Sequence, residues 1–412
     1  MLGAPASYSE FGFVSAGSKS ATAAVHGFDG IVCFGGVDWW YHNRGHYDLQ
    51  MMRELSATMP VLYINSIGMR VPGAGGQKHR FARIARKLRS IARGCVRVRP
   101  GMSVYSPFAL PAGLGQGIAR RALAMQVRRA ARSLGISRPL VWIACPPAIE
   151  VLPSLQPSAL VYQRTDRFED YPGVARDRIA AYDRMLKARA DVTLFCSSLL
   201  LDAEGAQCRR ALFADHGVDF DHFAAAGDNA TPPAALASIP RPRIGYIGNL
   251  EPHRVDHALL RQIAIGLPDM HFVIVGPGAL DPALSARPNV HRFPQQPYED
   301  VARFMAGCDV LIMPWNDNAW IRACNPVKLK EYLAVGRPVV TTPFEELRRY
   351  PGVVRIASDP AAFIAALRDA VRAPVCSHPA RNRVRDETWA AKARLVSETL
   401  REQAIHFRPA SS

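Results

Sequence analysis

Residues 325–342 read NPVKLKEYLAVGRPVVTT, and the way this stretch is punctuated decides the fold. An apolar run, Asp309 to Pro314 (DVLIMP), leads into it, and its own end, Pro338 to Thr342, is a second β-prone run. Between the two, Asn325 suits a helix N-cap and Pro326 the first helical position, while Gly336 and Pro338 supply the stop. The helix has about three turns, with Leu329, Tyr332 and Leu333 on an inward face. Strand, helix and strand in succession are the unit of a doubly wound α/β sheet. Lys328 and Lys330 stand in the first turn, close after Arg322, where the helix dipole is already positive. Nothing local compensates them, an arrangement suited to a bound anion. Glu331 lies one turn on from Lys328. The alternative is an ordinary surface helix with a Lys–Glu pair.

The run N-P-x-K-x-x-E-Y-x-A-x-G-x-P-V-V, met from Asn325 to Val340, resembles the donor-binding helix of GT-B glycosyltransferases of the bacterial exopolysaccharide and teichuronic-acid type. The resemblance implies two Rossmann-like domains facing across a cleft, with a nucleotide-sugar donor on the second and an acceptor on the first. It implies donor contacts from Gly248, Asn249, Arg254, Gly276, Asn318, Arg322, the Asn325 helix end and Lys328, with Glu331 on the ribose. Many members carry two glutamates eight positions apart; here the first position is Ala323.

With 412 residues and about 150 per domain, two domains are expected. The eight cysteines are scattered without a CxxC pair, which argues against a zinc site or disulfide framework and for a reducing compartment. No signal-peptide pattern or membrane-length apolar run occurs. The expectation is a cytoplasmic protein, peripheral on the inner face of the plasma membrane. The net charge of +16 sits in one block: from Leu55 to Ile149 there are 16 Lys and Arg and no acid, and elsewhere 35 basic residues face 35 acidic ones. Such a block attracts a polyanion. Within it, Phe81, Ile84, Leu88 and Ile91 recur at helical spacing, flanked by Arg83, Arg86, Lys87 and Arg89. A basic amphipathic helix of this kind reads as a membrane-docking element, each cation worth about 1 kcal/mol on an anionic leaflet. A solvated helix packed on the sheet is the competing reading. No motif supports nucleic acid.

Gly30 to Gly36 (GIVCFGG) reads as the first strand, ending at Gly35 and Gly36. Trp39, Arg44 and His46 follow, and with Arg164 they would line the acceptor side at the sheet's carboxyl edge. The strand ALVY runs into QRTDRFEDY; strand-end carboxylates beside arginines are candidates for acid–base work, which makes Asp166 the expected base with His46 behind it. The motif HGVD at 216–219 resembles the close of a first GT-B domain, and the Ala/Pro-rich residues 224–241 read as a linker. The expected organisation is a tail at 1–28, an acceptor domain at 29–223, that linker, a donor domain at 242–384, and a helix at 385–412 packing back on the first domain. No cofactor or metal is expected: a UDP- or GDP-linked donor would be held by cations and a helix dipole. A sugar-nucleotide epimerase of the same fold and a catalytically silent membrane-associated binder are the alternatives.

Overall fold

The computed structural model describes residues 26–41, 45–69, 77–108, 116–229, 231–373 and 377–408. Among the described residues the first nine strands are β1 His26–Phe28, β2 Gly30–Phe34, β3 Val61–Ile64, β4 Cys95–Arg99, β5 Met102–Tyr105, β6 Pro139–Ile143, β7 Ala159–Arg164, β8 Val192–Phe195 and β9 Ala211–Phe213. All but β1 form one sheet in the order β4-β5-β3-β2-β6-β7-β8-β9, parallel except for the β4–β5 pair. The central strands are buried on both faces, which is why they read as continuous apolar runs. Helices α1 (Tyr47–Leu55), α2 (Gln77–Ala92) and α3 (Gln116–Arg132) connect strands of this sheet.

Helix α4 (Phe220–Asn229) leads into a second sheet of β10 Arg243–Ile247, β11 His271–Val275, β12 Val290–Phe293, β13 Val310–Met313, β14 Val339–Thr341 and β15 Arg355–Ile356. Its order, β12-β11-β10-β13-β14-β15, is all parallel, and the direction of winding reverses between β10 and β13. Helix α5 (Val327–Val335) connects β13 to β14 and ends at Gly336, whose φ of 79° is the left-handed conformation that glycine adopts without strain. The chain then crosses back: α6 (Trp389–Glu402) buries Trp389, Ala393, Val396 and Leu400 in the first domain's core, and β16 (Ile405–Phe407) pairs with β1.

Several boundaries differ from the sequence expectation. Residues 224–229 are not linker: they belong to α4, whose Phe223 and Ala226 lie in the second domain's core. The expected tail ends in β1, and the expected final helix ends in β16, two short strands without turn signals that exist only through each other. Cys95–Arg99 form β4, an edge strand that the sequence expectation did not include.

Candidate functional site

Reversal of strand order leaves a crevice at the carboxyl ends of β10 and β13, the place where ligands bind in doubly wound sheets. A cavity of about 180 Å³ occupies it, lined by Gly248, Asn249, Arg254, Trp315, Val327 and Lys328, with Gly45 and His46 facing from the first domain. Tyr332 closes its floor, its hydroxyl accepting from the Ile247 N–H at 2.9 Å. The backbone at Gly248 is pressed against Gly276, where a Cβ would fall 1.9 Å from the Gly248 carbonyl oxygen; at this position only glycine fits.

Two cations reach the cavity. Arg254 lies with its guanidinium carbon 4.9 Å from the Trp320 ring, a cation–π contact that fixes its direction. Lys328 rises from the first turn of α5 and donates to Glu331 at 2.7 Å. Glu331 itself is buried behind Lys328 and does not line the cavity. Asn318 caps the short helix Ala319–Arg322 and donates to the His253 carbonyl at 2.7 Å, so it holds the segment bearing Arg254 and does not touch the cavity.

Four expectations are corrected. Asn325 is not the cap of α5; its amide turns to the other domain and donates to the Cys196 carbonyl at 2.8 Å. Arg322 sits on the surface in a pair with Asp317 at 2.7 Å, and exposure leaves that pair little energetic weight. Lys330 is fully compensated: it is wholly buried, pairs with Asp215 and Glu387 at 2.8 Å each, and donates to the His216 carbonyl at 2.6 Å. Lys392 and Arg349 complete this joint, at 2.6 and 3.7 Å from Asp215. Arg164 is likewise committed inside the first domain, bridging Glu169, Glu204 and Asp183, and has no surface left for an acceptor.

On the acceptor side, the structure supplies a pair that sequence reading missed. His46 Nδ1 lies 2.7 Å from Asp48 Oδ1. Asp48 is fully buried, and its other oxygen accepts from the Gly36 N–H at 2.7 Å and the Tyr63 hydroxyl at 2.9 Å. Gly35 is required by packing, since a Cβ there would meet the Tyr63 hydroxyl. Burial by itself disfavours a charged His46, but the Asp48 carboxylate, its hydrogen bond and the more distant Asp166 outweigh that and raise the imidazole pKa. For Asp48 burial works towards a higher pKa, yet His46 and the two donors Gly36 and Tyr63 hold it lowered. The signal available in sequence was His-x-Asp at the opening of the first helix after the first strand.

Asp166 follows β7, half-buried, and accepts from the Tyr171 hydroxyl at 2.9 Å. Burial and the nearby Asp166 carboxylate push the Cys324 thiol pKa up, so a first-domain carboxylate sits close to the motif position occupied by Ala323. Ala323 itself is buried against Phe195 and Leu200 of the first domain. Trp39 is half-buried with its ring edge-on to Tyr63. Arg44 lies outside the described residues, as does the side chain of Arg83.

Helix α2 packs in an unexpected sense. Among its described side chains, two polar ones point inward: Ser90 is buried and donates to Asp38 at 3.0 Å, and Lys87 turns to the Ser66 carbonyl at 3.1 Å. Lys87 is therefore not the free docking cation it was expected to be. Arg86 lies over Tyr41, and Arg89 is exposed. Ile84 and Leu88 face outward, each 55% exposed. Among the described residues no helix is long and apolar enough to cross a membrane.

Residues 241–373 match the family model described as glycosyl transferases group 1. A putative teichuronic acid biosynthesis glycosyltransferase, TuaH of Bacillus subtilis, is 31% identical over 133 residues, which are 31% of this chain and 33% of that protein. The match thus spans about a third of the curated relative's length. Among solved structures, sucrose-phosphate synthase from Thermosynechococcus elongatus is similar at a TM-score of 0.67 and 15% identity, over 91% of this chain and 98% of that one. HepE of Anabaena, in complex with UDP-glucose, reaches 0.63 at 13% identity over 90% and 99%. A trehalose 6-phosphate synthase from Burkholderia multivorans reaches 0.59 at 13% over 91% and 99%. The chain has the GT-B fold, and residues 241–373 are similar in sequence to the group 1 glycosyl transferases.

Proposed function

We propose that the protein transfers a sugar from a nucleoside diphosphate donor, UDP- or GDP-linked, to a lipid-linked or polysaccharide acceptor in cell-surface polysaccharide biosynthesis. The observation that carries this reading is the cavity at the β10–β13 switch point, where Arg254 and Lys328 converge with His46 of the other domain. UDP is favoured because HepE, of the same fold, was solved with UDP-glucose. The cell-surface setting rests on the likeness to TuaH.

The donor diphosphate takes charged hydrogen bonds from Lys328 and Arg254 and lies near the Gly248 backbone and the positive end of α5. In drawing Lys328 away, it frees Glu331 to accept from the ribose diol. As the bond from the anomeric carbon to the diphosphate oxygen breaks, these cations and the helix dipole stabilise the leaving group without a metal. The acceptor hydroxyl forms the new bond to that carbon and gives its proton to the His46–Asp48 pair. With Nδ1–H donated to Asp48, the neutral ring carries its lone pair on Nε2. Asp166, read from sequence as the base, supports the resulting imidazolium by its charge.

Docking at the inner face of an anionic membrane is part of this reading. An amphipathic helix that turns Lys87 and Ser90 inward while exposing Ile84 and Leu88 is inverted for a solvated surface and suited to a lipid one. The test of the whole proposal is a thermal-shift screen against UDP, GDP and ADP and their sugars. A ligand that binds only the native state raises its melting temperature. Stabilisation by one nucleotide class is expected, and stabilisation by none at millimolar concentration overturns the proposal.

A further inference from the structure

We infer that the outward face of α3 is a second docking surface, fitted to the anionic headgroup layer of a bilayer. This inference rests on the membrane docking proposed for α2. Helix α3 turns Ala124, Val127, Ala130 and Ala131 to the core. Its opposite stripe carries Ile118 and Met125, 64% and 68% exposed, among Arg121, Arg128, Arg129 and Arg132. These four arginines, with Ser154, border an open groove of about 580 Å³. Elsewhere along α3, Phe108 is exposed and pinned to the helix by two hydrogen bonds with Gln126, each 3.0 Å.

The coincidence of charge and apolar exposure identifies the partner. Eight large hydrophobic side chains are exposed among the described residues, and five of them (Ile84, Leu88, Phe108, Ile118 and Met125) fall within the acid-free block from 55 to 149. A nucleic acid or an acidic protein surface accounts for the arginines and leaves exposed Ile and Met unexplained. An anionic leaflet accounts for both, since cations meet headgroups while the apolar side chains enter the acyl boundary. Topology agrees: α2 precedes β4 and α3 follows β5, and these two strands form one edge of the first sheet. The Asp215–Lys330 joint follows β9, at the opposite edge, so docking leaves that joint untouched.

The experiment measures partition of the full-length protein onto vesicles of three parts phosphatidylcholine to one part phosphatidylglycerol, and onto phosphatidylcholine alone. The variants are I118S/M125S and R121Q/R128Q/R129Q/R132Q on α3, and I84S/L88S on α2. All replace exposed side chains, and unchanged circular dichroism confirms the fold. The wild type is expected to bind the anionic vesicles alone. The four-arginine variant should bind them at least tenfold more weakly, because each cation near the surface contributes about a factor of five. I118S/M125S should weaken binding at least threefold. If I84S/L88S lowers binding while both α3 variants match the wild type, the inference on α3 is overturned and docking by α2 stands. A wild type that ignores anionic vesicles overturns the docking reading and this inference together. Full competition by single-stranded nucleic acid at physiological salt overturns the assignment of the partner.

Discussion

Two lysines two residues apart on α5 should respond to substitution in opposite ways. Lys330→Ala removes a wholly buried ammonium group that lies 2.8 Å from both Asp215 and Glu387. Breaking a buried ion pair from one side costs about 3–5 kcal/mol, because the partner charge stays in the interior. Lys392 remains 2.6 Å from Asp215 and keeps it partly compensated, so the low end, about 3 kcal/mol, is expected. Lys328 is partly exposed, and its removal leaves Glu331 buried without its cation, at a cost of about 1–2 kcal/mol. The assay is urea unfolding at pH 7, followed by circular dichroism and by tryptophan fluorescence. Titration of UDP into each variant accompanies it. Lys330→Ala should lose stability and keep its UDP affinity within about threefold, while Lys328→Ala should bind UDP at least tenfold more weakly, the loss of one charged hydrogen bond. A stable Lys330→Ala that no longer binds UDP would refute this division and return Lys330 to the donor site.

Asp48→Asn removes what raises the His46 pKa. A base must be neutral, so activity rises with pH through that pKa; the acid limb of kcat/KM should move to lower pH in the variant, with a lower plateau. An unmoved limb means that another group is titrating. Asp166→Asn should leave UDP binding intact and slow transfer about tenfold, less than loss of a proton acceptor; a drop beyond about 10³-fold makes Asp166 the base instead. Glu331→Gln should narrow the preference for UDP over 2′-deoxy-UDP, measured by calorimetry, and a wild type with no such preference removes the ribose contact.

The fold was legible where local chemistry and tertiary context agree. The α5 segment has a left-handed glycine at its end and apolar residues on its inward face, and both properties are local. The joint was not legible, because Lys330 and Asp215 are 115 residues apart and a first-turn lysine looks the same whether it meets a ligand or a distant carboxylate. Asn325 has a good capping side chain, yet the domain interface offers its amide a buried carbonyl, and that contact wins. β4 was not legible: CVRVR alternates as an edge strand should, but its arginines fall within the dense basic run from 78 to 99. Asp48 stayed hidden for a similar reason. Aspartate in a first helical turn is ordinary, and only the fold brings Gly36 and Tyr63 around it. For α2 the apolar stripe was visible, but its direction depends on what Lys87 and Ser90 meet, and that is a property of the packed molecule.

The central claim is that the cavity between Arg254 and Lys328 holds a diphosphate. Calorimetric titration of UDP and of uridine into the wild-type protein, at equal salt and without added metal, tests it most directly. Two charged contacts predict that UDP binds at least a hundredfold more tightly than uridine, and that this margin falls at least tenfold in Lys328→Ala. Equal affinities for UDP and uridine, or a margin that survives the substitution, would contradict the account.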